Sequence, residues 1–163
     1  TLTIDGDWFY DPDAGAILLD GVDLRDLAPN WLRSQVGLVM QDVFLLPGTI
    51  RENILLDGEK TDEALWRILE KAQLARFVRQ LPEGIATSVG EGGMDLSAGQ
   101  RQLLAFARVL AREPRILVLD EATASVDPES EMLTEQAIAA TFSGRTNIVI
   151  AHRLSTIRRA DHI

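Results

Sequence analysis

Two adjacent carboxylates, Asp120 and Glu121, close the apolar run Ile116-Leu117-Val118-Leu119. A run apolar at every position reads as a strand covered on both faces, as in a parallel sheet. The carboxyl end of such a strand is where α/β proteins bind ligands. Successive side chains of a strand point to opposite sides, so the two acids can divide two tasks. One could hold Mg²⁺ through water, and the other could orient or deprotonate an attacking water. The plainer reading is a solvated strand end with a helix-capping acid.

A second set is Leu96-Ser97-Ala98-Gly99-Gln100. Ser97 and Gln100 have capping-box spacing, so a helix is expected to start here. Its small residues and free first-turn amides make a surface suited to anions; the plainer reading is a well-capped helix. Gln41 and His152 each end an apolar run, and Asp127 stands immediately before Pro128. Taken singly, these three are explained as strand ends and a helix cap.

The elements that must hold these residues are partly visible. Asp20-Gly21 between short apolar runs predicts a hairpin. Gln35 to Met40 reads as a short buried strand ending at Gln41. From about Thr61, Leu65, Ile68, Leu69 and Ala72 recur at helical spacing, with Asp62 and Glu63 in the first turn. Leu81-Pro82-Glu83-Gly84 breaks the chain. In the helix opened by Ser97, Leu103, Leu104, Phe106, Ala107 and Leu110 give an apolar face, and Pro114 follows its end. Asp127 and Pro128 open a further helix to about Thr141, and Ser143-Gly144 leads into a strand over Asn147 to Ala151. Strand, helix and strand here make a βαβ unit. Another strand is expected to begin near Ile163. The first ten residues have no clear period.

The bulk numbers set limits. With 163 residues, one domain with a real core is expected, and 46% hydrophobic with 25% charged residues is ordinary for a globular chain. No apolar stretch reaches the roughly 18 to 20 residues of a membrane span, and there is no signal-peptide pattern at the N-terminus. Zero cysteines exclude disulfides and thiolate metal sites. A net charge of -9 argues against broad nucleic-acid binding but not against a phosphate site built from local amides.

In combination the motifs say more. A strand-end Gln41, then LSAGQ, then ILVLDE, then Ser125-Val126-Asp127, then a strand-end His152, in this order, resembles the ABC ATPase family. Gln41 is similar to its Q-loop, LSAGQ to its signature LSGGQ, and ILVLDEAT to its Walker B segment. Ser125-Val126-Asp127 is similar to its D-loop and His152 to its switch histidine. QDVFLLPGTIRENI looks like the Q-loop of exporters and the start of their helical subdomain. TSVGEGG (residues 87–93) is similar to the loop whose acidic residue, here Glu91, faces the transmembrane coupling helices in exporters.

The resemblance implies an α/β fold: a partial P-loop NTPase-type core, mostly parallel sheet with flanking helices, plus an α-helical subdomain carrying the signature. Residues 1–163 would be a single domain fragment, with 1–48 and 114–163 as core and 49–113 as helical subdomain. It implies ATP and Mg²⁺, and head-to-tail pairing with a second such domain. It also implies contact with transmembrane domains through residues 42–53 and 87–93, at the cytoplasmic side of the cell membrane. By the same resemblance Ser97, Ala98, Gly99 and Gln100 would face the γ-phosphate held by a partner, and Asp127 would communicate across the dimer. Asp120 would act on the metal side and Gln41 would approach the metal and the attacking water. Glu121 would be the general base, and His152 would contact the γ-phosphate.

Two departures stand out. Ala98 replaces the usual Gly, adding a methyl where backbone approaches phosphate. No G-x-x-x-x-G-K-[S/T] occurs anywhere in the 163 residues. Thr1 falls just after the place of that motif, so the phosphate loop, the strands before it and the closing strands after Ile163 are expected to lie outside this chain. TLTIDGDW, with Asp5, Gly6 and Asp7, stands where the family has an apolar helix. The leading expectation is therefore an exporter motor domain that neither binds ATP tightly nor turns it over by itself. The alternatives are a non-catalytic ABC-like partner-binding module, against which Glu121 and His152 speak, and a soluble ABC ATPase outside transport, against which GTIRENI and TSVGEGG speak.

Overall fold

The computed structural model describes residues 4–5, 8–9, 14–40, 43–56, 58–120, 128–142, 144–150 and 161. Its contacts divide the chain into two compact units, Thr1–Gln35 and Val36–Ile163.

The first unit has two short antiparallel ribbons and a helix. Strands β1 (Ile4–Asp5) and β2 (Trp8–Phe9) pair with each other, as do β3 (Leu18–Leu19) and β4 (Val22–Asp23). The predicted hairpin is present at Asp20-Gly21, with φ of 50° and 84° at the two turn residues. Both positions need positive φ to match the strand twist, which the Gly takes without a Cβ clash. Beyond β4 the Asp23 carboxylate caps a 3₁₀ turn by accepting from the Arg25 amide and guanidinium, and this holds its pKa down at about 2. Helix α1 (Pro29–Gln35) follows, with Gln35 as its last residue rather than the first of a strand.

In the second unit, β5 (Val36–Val39) starts a three-stranded sheet. The chain then passes through β6 (Gly48–Thr49), α2 (Ile50–Leu55), α3 (Asp62–Lys71), α4 (Ala75–Gln80), β7 (Ser88–Val89) and α5 (Ala98–Arg112). It returns to the sheet as β8 (Ile116–Asp120), crosses over α6 (Pro128–Phe142) and ends as β9 (Thr146–Ile150). The strand order is β5-β8-β9, all parallel. The apolar run of β8 is thus the central strand, and the predicted βαβ unit is β8-α6-β9. The fold is α/β with a parallel sheet and flanking helices, consistent with a partial P-loop NTPase core.

One sheet face is sealed. Val39, Leu117 and Leu119 join a core with Phe106, Leu104, Ile50, Ile54, Leu65 and Leu69, all essentially inaccessible. Full burial of each such side chain contributes about 1.5–3 kcal/mol. The other face carries the register neighbours Leu38, Val118 and Ile148, of which Leu38 and Ile148 remain exposed.

The helix expected from about Thr61 is α3, and Thr61 caps it, its hydroxyl accepting from the Ala64 amide. A left-handed Gln73 (φ 59°) then ends that helix, and α4 restarts before the Leu81–Gly84 break. The Arg79 guanidinium ties α4 back to α3, 2.7 Å from Glu70 and 5.1 Å from the centre of the Trp66 ring. The cap of α2 is a complete capping box: Thr49 N–H and Oγ1 donate to Glu52, and the Glu52 amide donates to Thr49 Oγ1.

These bonds to Thr49 hold the Glu52 carboxyl below its ordinary pKa. A depressed folded-state pKa stabilises the fold above the unfolded value and loses that contribution as pH falls through the folded one. The stability difference between wild type and Glu52→Gln should therefore be constant above about pH 4.3, the ordinary Glu value, and shrink on further acidification. Urea titrations across that range would check it. A gap that widens on acidification contradicts the cap.

Candidate functional site

Ser97 stands at the N-cap of α5 with φ -62° and ψ 161°. Its amide donates to Gln100 Oε1 at 2.9 Å, and its Oγ accepts from the Gln100 amide at 3.2 Å. The predicted capping box is complete. Of the four amides that a helix start leaves without a helical partner, two are satisfied in this way. The amides of Ala98 and Gly99 remain to donate outward, and the dipole of a fifteen-residue helix adds positive potential there. Ser97 also keeps its hydroxyl hydrogen, and Gln100 its Nε2 group, because the box uses only an acceptor atom of each side chain.

Ala98 is exposed, so its methyl crowds nothing within the described chain. Arg101 holds the approach to the helix, donating to the Leu96 carbonyl at 2.7 Å and to Asp95 at 3.2 Å. A cavity of about 720 Å³ opens beside this turn, lined by Ser97, Gly99 and Gln100 together with Gln73, Arg76 and Leu133. Substituting Ser97 by Ala removes the cap and should lower stability by about 0.5–2 kcal/mol, measurable by urea denaturation. A stability unchanged within error would contradict the cap's role.

Asp120 is the last residue of β8, opposite Ile150 of β9. Alternation along the strand puts it on the side of Val118, away from the sealed core face of Leu117 and Leu119. It is half-buried and enters no ion pair with another described residue. A carboxylate so placed has oxygens to spare for a hydrated cation, so the residue fits the Mg²⁺ that the sequence suggested. Asp120 does not line the cavity beside Ser97. Gln41, Glu121, Asp127 and His152 lie outside the described residues, and so does the expected strand near Ile163.

Residues 43–53 and 87–93, within the stretches expected to face transmembrane domains, come together. Gly48 and Thr49 pair antiparallel with Val89 and Ser88, and the Ile50 amide donates to the Thr87 carbonyl at 3.0 Å. Gly90, at φ 82°, lies against the Leu46 carbonyl, which a Cβ there would meet at 3.1 Å. This close approach is open only to glycine. Phe44 (80% exposed), Leu46 and Glu91 face outward from this paired region.

The sequence profile of the ABC transporter family matches residues 8–124. The chain belongs to the ABC transporter family. The stretch matched in this ABC ATP-binding domain includes Gln41, LSAGQ and the Asp120-Glu121 pair, and stops before Asp127 and His152. Among curated relatives, a multidrug resistance ABC transporter ATP-binding and permease protein of Lactococcus lactis subsp. lactis (strain IL1403) is 51% identical over 158 residues. That match covers 95% of this chain and 27% of the relative. Multidrug resistance protein 4 of Entamoeba histolytica is 51% identical over 94% of this chain and 12% of its own length. ABC transporter B family member 14 of Arabidopsis thaliana is 51% identical over 95% of this chain and 12% of its own length. The chain thus spans only about a quarter or less of the relatives it matches. Among the described residues, no helix is long and apolar enough to cross a membrane.

Sequence reasoning missed one feature of this ABC domain. Arg108 and the fully buried Asn53 form a polar network between α5 and α2. Neither residue type announces itself: an Arg in an amphipathic helix and an Asn in a short one read as surface positions.

Proposed function

We propose that this chain is part of the ATP-hydrolysing motor of an exporter, working as one of two such domains paired head to tail. The observation that carries the reading is the signature turn. Ser97 to Gln100 form a helix start, exposed at Ser97 and Ala98 and partly buried at Gly99 and Gln100, with two amides and two side-chain donors left to bond outward. Such a surface recognises an anion presented from outside the chain, and a phosphate held by a partner domain meets that description. In this reading residues 1–48 and 114–163 form the core and 49–113 the helical subdomain.

The remaining roles follow from the resemblance to the ABC ATPase family, and the chemistry of each residue type suits them. Asp120 would hold Mg²⁺ through water, and the cation, when bound, supplies charge neutralisation at the phosphates. Glu121 takes the proton of the attacking water, Gln41 orients that water, and His152 donates to the γ-phosphate. Asp127 links the two domains. Phosphoryl transfer needs positioning and charge stabilisation above all, so parts from two chains can share one site. The paired 43–53 and 87–93 region, with Phe44, Leu46 and Glu91 outward, suits docking of cytoplasmic segments of transmembrane domains, and this supports a place at the cytoplasmic side of a membrane. The names of the relatives support export over soluble roles.

A phosphate loop contributes a Lys, a hydroxyl and a nest of amides, and charge-assisted contacts of that kind are worth roughly 1.5 to 3 kcal/mol each. The 163 residues contain no such loop. ATPase rates of this chain and of a version carrying the loop should therefore differ by orders of magnitude. Equal rates would sink the proposal.

A further inference from the structure

The segment that leaves β5 towards β6 is held by an unusual set of bonds. Arg108 of α5 donates from Nε to the Asn53 carbonyl at 2.6 Å, from Nη2 to Asn53 Oδ1 at 2.9 Å, and from Nη1 to the Phe44 carbonyl at 2.7 Å. Asn53 is wholly buried. Its Oδ1 also accepts from the Leu46 amide at 2.9 Å, while its Nδ2 donates to the carbonyls of Leu46 at 2.8 Å and Thr49 at 3.1 Å. Every bonding position of the Asn side chain is therefore used.

Two features separate this network from ordinary packing. The guanidinium is paired with no carboxylate among the described residues, only with carbonyl and amide oxygens. A half-buried cation solvated by dipoles alone needs all of them, so the network is cooperative. Furthermore, Phe44 gains no anchorage from its ring, which is 80% exposed. Residues 43–47 belong to no helix or strand. Val43 and Leu45 pack partly buried against the core, while the backbone of Phe44 and Leu46 is fixed by the bonds to Arg108 and Asn53.

We infer that Arg108 and Asn53 are positioning residues that clamp the segment after Gln41 onto the signature helix, so that both move as one body. Phe44 is three residues beyond Gln41, and Arg108 is three helical turns beyond Ser97, on one continuous helix. The inference rests on the motor reading above. In that reading Gln41 serves the ATP of its own domain and Ser97 the ATP of the partner, so the clamp ties the two sites of a dimer together. Neither clamp residue touches nucleotide.

The test uses the whole parent transporter with Arg108→Lys, Asn53→Asp and the double variant. Lys keeps the charge but replaces a planar fork by one ammonium that cannot span three acceptors. Asp keeps the oxygen facing Arg108 and loses both donors to the 46–49 backbone. Amide hydrogen exchange at residues 43–49 should rise roughly tenfold in each variant, the scale of one lost hydrogen bond, with α5 still protected. ATP turnover should fall roughly tenfold while the half-saturating ATP concentration stays within about threefold. The double variant should be no worse than the poorer single one, because the network acts as a unit.

Unchanged exchange at 43–49, additive losses, or a rise in half-saturating ATP that matches the loss in turnover would each overturn the clamp. If one single variant does not fold, the other carries the same comparison. A wild-type parent that hydrolyses no ATP would overturn the motor reading instead, and the exchange data would still decide the clamp.

Discussion

Replacing Glu121 by Gln in the parent transporter is expected to lower ATP turnover by about 10²- to 10⁴-fold, the range supplied by a positioned general base. ATP binding should persist. The centre of β8 is sealed by apolar neighbours, and its parallel pairing on both sides fixes the direction in which the strand delivers its last residues. Asp120, on the side away from the sealed core, is the residue proposed for the metal, and Glu121 is the next residue along the chain. Gln is nearly isosteric with Glu and can still bond to a water, but it cannot accept the proton. Turnover should therefore collapse while affinity, read by nucleotide trapping or equilibrium binding, holds within a few fold. Loss of turnover and affinity by the same factor would show that Glu121 contributes to binding rather than to the chemical step.

The largest expected effect on stability is at Phe106. It is completely buried on α5, among Leu65 and Leu69 of α3, Ile50 and Ile54 of α2, and the strand residues Leu117 and Leu119. Truncation to Ala removes the ring and leaves a cavity at the junction of sheet and helices. The cost should be about 3–5 kcal/mol, a large part of the stability of a domain this size. Arg112, exposed in the last turn of the same helix, is the control, and its change to Ala should stay within about 0.5 kcal/mol. Denaturation midpoints of the two variants would check both figures. A Phe106→Ala cost below 1 kcal/mol would mean that α5 is not seated on the sheet as described.

The contrast between these two residues also explains what was legible in the sequence. Phe106 lies in a fifteen-residue helix whose apolar face repeats over four turns, and whose start is marked by a Ser and a Gln at fixed spacing. Such signals are local and redundant, and the β8-α6-β9 crossover was legible for the same reason. Helices α1, α2 and α4, of seven, six and six residues, were not predicted as separate elements. Helices this short are unstable by propensity alone and exist because their neighbours bury them. Ile50 and Ile54 of α2, for instance, are sealed by the core.

At the site, the capping box of Ser97 was legible because both of its partners lie within one turn. The meeting of Leu46 with Gly90 and the bonds of Arg108 were not, because they join positions tens of residues apart. The signature turn carries a further limit of its own. It presents donors outward, towards a group proposed to belong to another chain, and only the order of several motifs pointed there.

The most direct test of the account is a calorimetric titration with Mg-ATP at millimolar nucleotide. Two proteins would be compared: the 163-residue chain, and the same chain extended at its N-terminus by the phosphate-loop segment of a relative. The account predicts no detectable heat from the first and saturable binding by the second, weakened by Asp120→Ala. Saturable binding by the 163-residue chain itself, lost on changing Gln41 or Glu121, would contradict it. Some other segment, with residues 1–8 the first candidate, would then be performing the task assigned here to a phosphate loop.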